Sequence, residues 1–222
     1  MFFRKYCKDN NHMKNTQKVR FVLVILTLVS FTEFSAAQFF KASLLGGVNF
    51  AQVDGDHIGG YNKVGLNAGI GIYHDLNPES SVGFEIAFAQ KGSKLVNDPD
   101  AVSPSIYIIK SSYVEFPLIY QRRLASVDAL QLHTGLSIGV NISGTIDDGP
   151  RVSQANFQTL EMGFLLGGSY DLSDNLSFRV RHGYSLNKIS TPIPNAAQTK
   201  GLFNRPGLFN RWFNVGFAYT LG

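Results

Sequence analysis

The sequence predicts an all-β chain, an eight-stranded antiparallel up-and-down transmembrane β-barrel behind a cleaved signal peptide. Three observations carry this: period-two alternation of apolar and small or polar residues from Gln38 onward, connections that are alternately short and long, and little charge. Only 16% of the 222 residues are charged, against about 25% in an ordinary soluble domain. With 22 glycines and 13% aromatic residues, that balance also disfavours a disordered chain.

Residues 1–37 read as the targeting segment. Lys14, Lys18 and Arg20 form a basic region, Phe21 to Phe31 an apolar one, and Ser35, Ala36 and Ala37 the small residues before a cut at Gln38. Met13 is the expected start of translation, since the polar stretch before it adds nothing to a signal peptide. The apolar run is too short to span a bilayer as a helix, which takes about 20 residues. Removing the six basic and two acidic residues of this segment from the chain's 20 and 16 leaves 14 of each. The formal charge of +4 therefore belongs to the leader, and a nucleic-acid partner is not expected. The single cysteine, Cys7, lies there too, so the barrel domain, residues 38–222, has no disulfide, thiol nucleophile or thiolate ligand.

Each strand follows from its alternation. In the first, Ala42, Leu44, Val48 and Phe50 oppose Ser43, Leu45, Gly47 and Asn49; in the second, Val64, Leu66, Ile70 and Ile72 oppose Gly65, Asn67, Gly69 and Gly71. Val82, Phe84, Ile86 and Phe88 then oppose Gly83, Glu85, Ala87, Ala89 and Lys91. Val114, Phe116, Leu118 and Tyr120 oppose Tyr113, Glu115, Pro117 and Ile119, where Pro117 removes a ladder donor. Leu130 to Val140 places His133 on the small or polar side, and Leu160 to Tyr170 places Glu161 there. The last two strands set Phe178, Val180, His182 and Tyr184 against Arg179, Arg181 and Ser185, then Phe213, Val215, Phe217 and Tyr219 against Asn214, Gly216 and Ala218.

Asp75 to Ser80, Gln121 to Asp128 and Asp171 to Asn175 are short connections, whereas Ala51 to Asn62, Gly92 to Ser105, Gly144 to Gln158 and Lys188 to Asn210 are long. That asymmetry is the pattern of an outer-membrane barrel with its short turns in the periplasm. A soluble lipocalin-like barrel alternates as well, but its polar face meets water and carries many Lys, Glu and Thr. Here that face is mostly Gly, Ala, Ser and Asn, which suits a crowded interior. The apolar face is almost free of charge, as lipid requires when Arg or Lys at mid-bilayer costs about 2–4 kcal/mol. Tyr120, Tyr170 and Tyr219 toward the turns, and Phe50, Phe88, Tyr184 and Phe213 toward the loops, are placed as two aromatic girdles. The expected location is the outer membrane of a Gram-negative bacterium, with lipid and lipopolysaccharide as surroundings and protein partners reached through the long loops.

The run from Gly47 to Asp56, then Gly60-Tyr61-Asn62-Lys63-Val64-Gly65-Leu66, resembles the opening of the PorT-like outer-membrane β-barrel family of Bacteroidota. Glu85 to Ser93, ending Gln90-Lys91-Gly92-Ser93, and Tyr113-Val114-Glu115-Phe116-Pro117-Leu118 with Tyr120 are similar to its third and fourth strands. The resemblance implies an eight-stranded outer-membrane barrel of the generic branch, whose members mostly have no assigned activity, rather than the founding member's part in type IX protein secretion.

Candidate sites lie in the lumen and the loops. Glu85, Lys91, Glu115, His133, Glu161, Arg179 and Arg181 share the inward parity, a mixed-sign set that is costly unless paired. They are expected to plug the lumen, with Glu115 opposite His133 about a turn centred near Leu124, Arg181 opposite Leu165, and Glu161 on the strand adjacent to Arg179 and Arg181 but about two pairs higher. No cofactor is implied and no metal centre expected; the strongest oxygen and imidazole set is Asp54, Asp56 and His57. An enzyme acting on lipid would need a Ser/His pair near the loop end, yet Ser185 and His182 fall on opposite faces, and His74 sits at a short turn. In the last long loop Gly201-Leu202-Phe203-Asn204-Arg205 recurs as Gly207 to Arg211, so Leu202 and Phe203 are candidates for an exposed partner-binding tip.

Overall fold

The computed structural model describes residues 40–56, 58–95, 107–149, 151–190 and 206–221. The leader and its cleavage site, His57, and the first copy of the duplication with Leu202 and Phe203 lie outside them. The strands are β1 (Phe40–Asp54), β2 (Lys63–Asn77), β3 (Ser80–Lys94), β4 (Ile108–Leu124), β5 (Val127–Asp147), β6 (Val152–Gln154), β7 (Leu160–Asp171), β8 (Leu176–Ser185) and β9 (Phe209–Leu221). Eight of them form a ring of antiparallel neighbours, and β9 closes it on β1 from Ala42↔Leu221 to Asp54↔Phe209. Short β6 is an addition outside the ring, pairing only with the end of β5. The expected count therefore holds for the wall.

The strands run further into the long connections than alternation indicates: β1 reaches Asp54, β3 Lys94 and β5 Asp147. Beyond the apolar band a ladder can stand in water, where its residues need not alternate. The expected β4–β5 pairing is corrected. The turn is only Ala125 and Ser126, an irregularity at Arg123/Leu124 offsets the ladder, and Glu115 faces Gly139 while His133 faces Gln121. On β7–β8, Arg181 faces Gly167 rather than Leu165. Both offsets keep every residue on its expected face, because side chains alternate with period two. Pro117 interrupts the β3–β4 ladder between Phe84↔Leu118 and Ala87↔Glu115, with the same register on either side. The rings of Phe84 and Phe116 stack at 6.4 Å across that interruption.

Which face is outside separates the two barrel classes. Ile70, Leu136 and Leu166 are each 56% exposed, whereas Lys91 is fully enclosed and Arg181 only 4% exposed. The wall is inverted relative to a protein stable in water, apolar outward and polar inward. Tyr120, Tyr170 and Tyr219 stand exposed on that wall as expected. Tyr184 does not: Phe209 stacks on it at 6.3 Å and buries it. The second copy of the duplication thus leads into β9, with Leu208 and Phe209 packed away.

Glycine positions make room for two lumen aromatics. A Cβ on Gly83 would come within 2.2 Å of the Tyr73 ring, and one on Gly183 within 2.3 Å of the Trp212 indole. Gly183→Val is expected to displace Trp212 and cost about 1–3 kcal/mol, read as a lower denaturant midpoint in detergent. The parent barrel should migrate at different positions on a gel before and after boiling; a chain that stays soluble without detergent would contradict the inverted wall.

Candidate functional site

Register stacks the lumen in layers. Along β8 the inward residues are Arg179, Arg181, Gly183 and Ser185, and β7 runs beside it as Ser169, Gly167, Leu165 and Gly163. Nearest the short turns, Glu85 is the hub. Arg181 grips it with both terminal nitrogens, Nη1 to Oε2 at 2.8 Å and Nη2 to Oε1 at 2.9 Å. Arg179 Nη1 donates to Oε1 at 3.2 Å, and the Tyr73 hydroxyl donates to the same oxygen. A bidentate guanidinium with further donors is the geometry that best offsets the loss of hydration.

Arg181 Nε also donates to His133 Nδ1 at 3.1 Å, and His133 Nε2 lies 3.0 Å from Ser169 Oγ. This Ser/His contact resembles a nucleophile and base only in spacing. Arginine can only donate, so Nδ1 is the acceptor and the proton sits on Nε2, facing the serine. A base must offer a lone pair there. The imidazole instead passes the hydrogen-bond chain on to Ser169.

Ala51, Ile119, Leu165 and Trp212 form an apolar layer above. Beyond it lies the second charged layer. Lys91 Nζ is 2.5 Å from Glu115 Oε1 and 3.0 Å from Glu161 Oε1, and it sits 3.3 Å from the centroid of the Trp212 ring. Glu161 is further satisfied by Ser185 Oγ at 2.5 Å and Asn210 Nδ2 at 2.9 Å. Asn210 Nδ2 also reaches the Tyr113 hydroxyl at 3.2 Å. Val53, Ile109, Ile189 and Leu208 cap the stack toward the loops, with Tyr107, Ile146 and Phe157 against them.

All seven residues expected in the lumen are there and buried, but their partners differ from expectation. Glu161 binds Lys91, and Arg179 and Arg181 both turn to Glu85; Glu115 also pairs with Lys91, not with His133. Lys91 and Glu115 pair between the neighbouring strands β3 and β4, but Glu85 with the two arginines and Lys91 with Glu161 reach across the barrel's bore, which neighbour-to-neighbour register does not reveal. Sequence reasoning missed Tyr73, Tyr113, Ser169, Asn210 and Trp212 as members, and left Ser185 without a role. Continuing the parity of each strand by one or two residues would have placed Tyr73, Asn210 and Trp212 inward.

Outside the lumen, Asp54 is engaged by Arg211 at 3.1 Å and Gln52 at 2.7 Å. Asp56 turns inward and accepts from the Ile58 backbone nitrogen at 2.9 Å; burial raises its carboxyl above the usual range. Among the described residues no group of three His, Cys, Asp or Glu is arranged to hold a metal ion. His182 faces outward beside Phe213, at 4.7 Å between rings, with Tyr61 Oη at 3.4 Å, while Ser185 points into the lumen.

A closed eight-stranded ring with an apolar outer wall and a charged, filled interior defines an integral outer-membrane β-barrel protein. The chain belongs to the outer membrane protein beta-barrel domain family, whose model matches residues 33–191. Among solved structures it is similar to the Neisserial surface protein A (NspA), with 16% identity and a TM-score of 0.50 over 82% of this chain and 97% of that one. Ail, the attachment invasion locus protein of Yersinia pestis, matches at 12% identity and a TM-score of 0.49, over 82% and 98% of the two chains. OprG from Pseudomonas aeruginosa matches at 14% and 0.40, over 82% and 95%. No curated protein matches the sequence.

Lys91→Met should strand Glu115 and Glu161 in the interior and cost about 3–5 kcal/mol. Adding Glu115→Gln and Glu161→Gln to it should recover most of that loss, measured by urea unfolding in detergent micelles. Equal stability of Lys91→Met and the parent would show that the pairing contributes nothing.

Proposed function

We propose that this outer-membrane barrel is a sealed structural and interaction component, with its activity in the loop-end surface rather than in a pore or an active site. The filled lumen carries the reading. Two hydrogen-bonded charge clusters and two apolar layers occupy the bore, and eight strands enclose an interior that side chains can fill. A conducting path would require those pairs to separate in a medium where single charges are costly.

A non-enzymatic role is favoured by the fate of the catalytic candidates. His133 presents a proton to Ser169, and His182 and Ser185 face opposite sides of the wall. Within the family, the motifs at Gly47 to Asp56 and Tyr113 to Leu118 support a place in the generic PorT-like branch of Bacteroidota. Residues 1–37 act in this reading as an export signal cut before Gln38, and Leu202 and Phe203 as a loop tip offered to protein partners.

In planar bilayers the purified barrel should show little or no steady conductance, and a large stable pore would overturn the sealed-lumen reading. Crosslinking in intact outer membranes followed by mass spectrometry should recover partner peptides joined to loop residues rather than to the turn rim.

A further inference from the structure

Lys91 is the only buried lysine among the described residues. The Glu161 carboxylate holds it with one oxygen and the side-chain amide of Asn210 with the other: Lys91 Nζ lies 3.0 Å from Oε1, and Asn210 Nδ2 donates to Oε2 at 2.9 Å. Tyr113 and Trp212 bracket the same two groups. Nζ is 5.0 Å from the centroid of the Tyr113 ring, whose hydroxyl is 3.2 Å from Asn210 Nδ2, and it lies 3.3 Å over Trp212, the next inward residue after Asn210 on β9. A second acid, Glu115, stands 2.5 Å from Nζ. Lys91 and Asn210 are fully enclosed, and Glu115 and Glu161 are at most 5% exposed. One acid would neutralise the amine; this layer supplies two, and a carboxamide is bound to the second.

We propose that the groups of this layer join Lys91 to Asn210 through a side-chain amide bond, a covalent tie from β3 to β9 across the bore. Glu115 takes a proton from the Lys91 ammonium and leaves the neutral amine, which is the nucleophilic form. Nζ attacks Cγ of Asn210. Glu161, in contact with both nitrogens, carries a second proton from Nζ to Nδ2. The Cγ–Nδ2 bond breaks and ammonia leaves, so one C–N bond replaces another and nothing is oxidised or reduced. Glu115 keeps the proton it took, and the formal charge of the layer is −1 before and after. Orientation comes from the fold: the four side chains belong to β3, β4, β7 and β9 and come together only in the closed ring. Holding amine and carboxamide on one carboxylate replaces the very high concentrations that amide exchange needs in water. The same enclosure keeps out water, the nucleophile that would otherwise compete for Cγ.

The full chain is expressed, and the barrel is purified from outer membranes, denatured, digested and read by tandem mass spectrometry. The parent should yield a branched peptide joining the segments that bear Lys91 and Asn210, lighter by one ammonia, about 17 Da, than the two linear peptides together. The branch rather than the intact mass decides, because a chain that begins at Gln38 loses the same mass when that glutamine cyclises. Asn210→Asp should give the same branch with loss of one water, about 18 Da, in place of ammonia. Glu161→Gln should lower the branched fraction on the order of tenfold or more. Gel mobility before and after boiling identifies the folded variants, and the parent and Asn210→Asp remain decisive if Glu161→Gln does not fold. A folded parent whose digest holds Lys91 and Asn210 only in separate linear peptides overturns the proposal. A branched fraction equal to the parent's in folded Glu161→Gln overturns the role given to Glu161.

Discussion

The constraint on which the rest depends is the need to neutralise charge inside a wall that faces lipid. The exterior contributes little through contact with water, because its large apolar side chains already sit in the medium they prefer. Specificity must then come from within, and here it comes from Glu85 and Lys91. Each is surrounded by partners from several strands: Glu85 of β3 is held by Tyr73 of β2 and by Arg179 and Arg181 of β8, while Lys91 of β3 joins Glu115 of β4 and Glu161 of β7. No pair of neighbouring strands can satisfy either hub alone. A partly formed sheet would leave Arg179, Arg181 and Glu161 without their charge partners on β3, so ring closure completes the lumen packing.

The apolar layers follow from the same constraint. Trp212 sits between the clusters, its indole face against Lys91 and its ring accommodated by Gly183. It adds attraction for the ammonium without adding another charge that would need a counter-ion. Gly83 does for Tyr73 what Gly183 does for Trp212. At Gly71, Gly83 and Gly183 the missing side chain leaves room for a large lumen ring, whereas at Gly47, Gly65, Gly69, Gly167 and Gly216 a Cβ would instead meet the backbone of the neighbouring strand.

Much of this was legible in the sequence, and the reason is geometric. Period-two alternation gives the face of each residue independently of register, so Glu85, Lys91, Glu115, His133, Glu161, Arg179 and Arg181 could all be placed inside before any pairing was known. The pairings themselves were not legible. Register depends on local irregularities such as the one at Arg123/Leu124, and contacts across the bore depend on the reach of long side chains, as when Arg181 meets a carboxylate 96 positions away. Tyr184 shows the converse limit: its parity is outward, yet Phe209 of a neighbouring strand covers it.

The layering has an electrical consequence. Glu85 with Arg179 and Arg181 makes a cluster of formal charge +1, and Lys91 with Glu115 and Glu161 makes one of −1, separated by Ala51, Ile119, Leu165 and Trp212. The two excesses cancel over the lumen but not within a layer. An ion drawn toward one cluster is repelled by the other, whatever its sign, before it can cross. In the sealed-lumen reading, a cation meets its barrier at the layer of Arg179 and Arg181 and an anion meets its barrier at the layer of Glu115 and Glu161, two steps of opposite polarity in series.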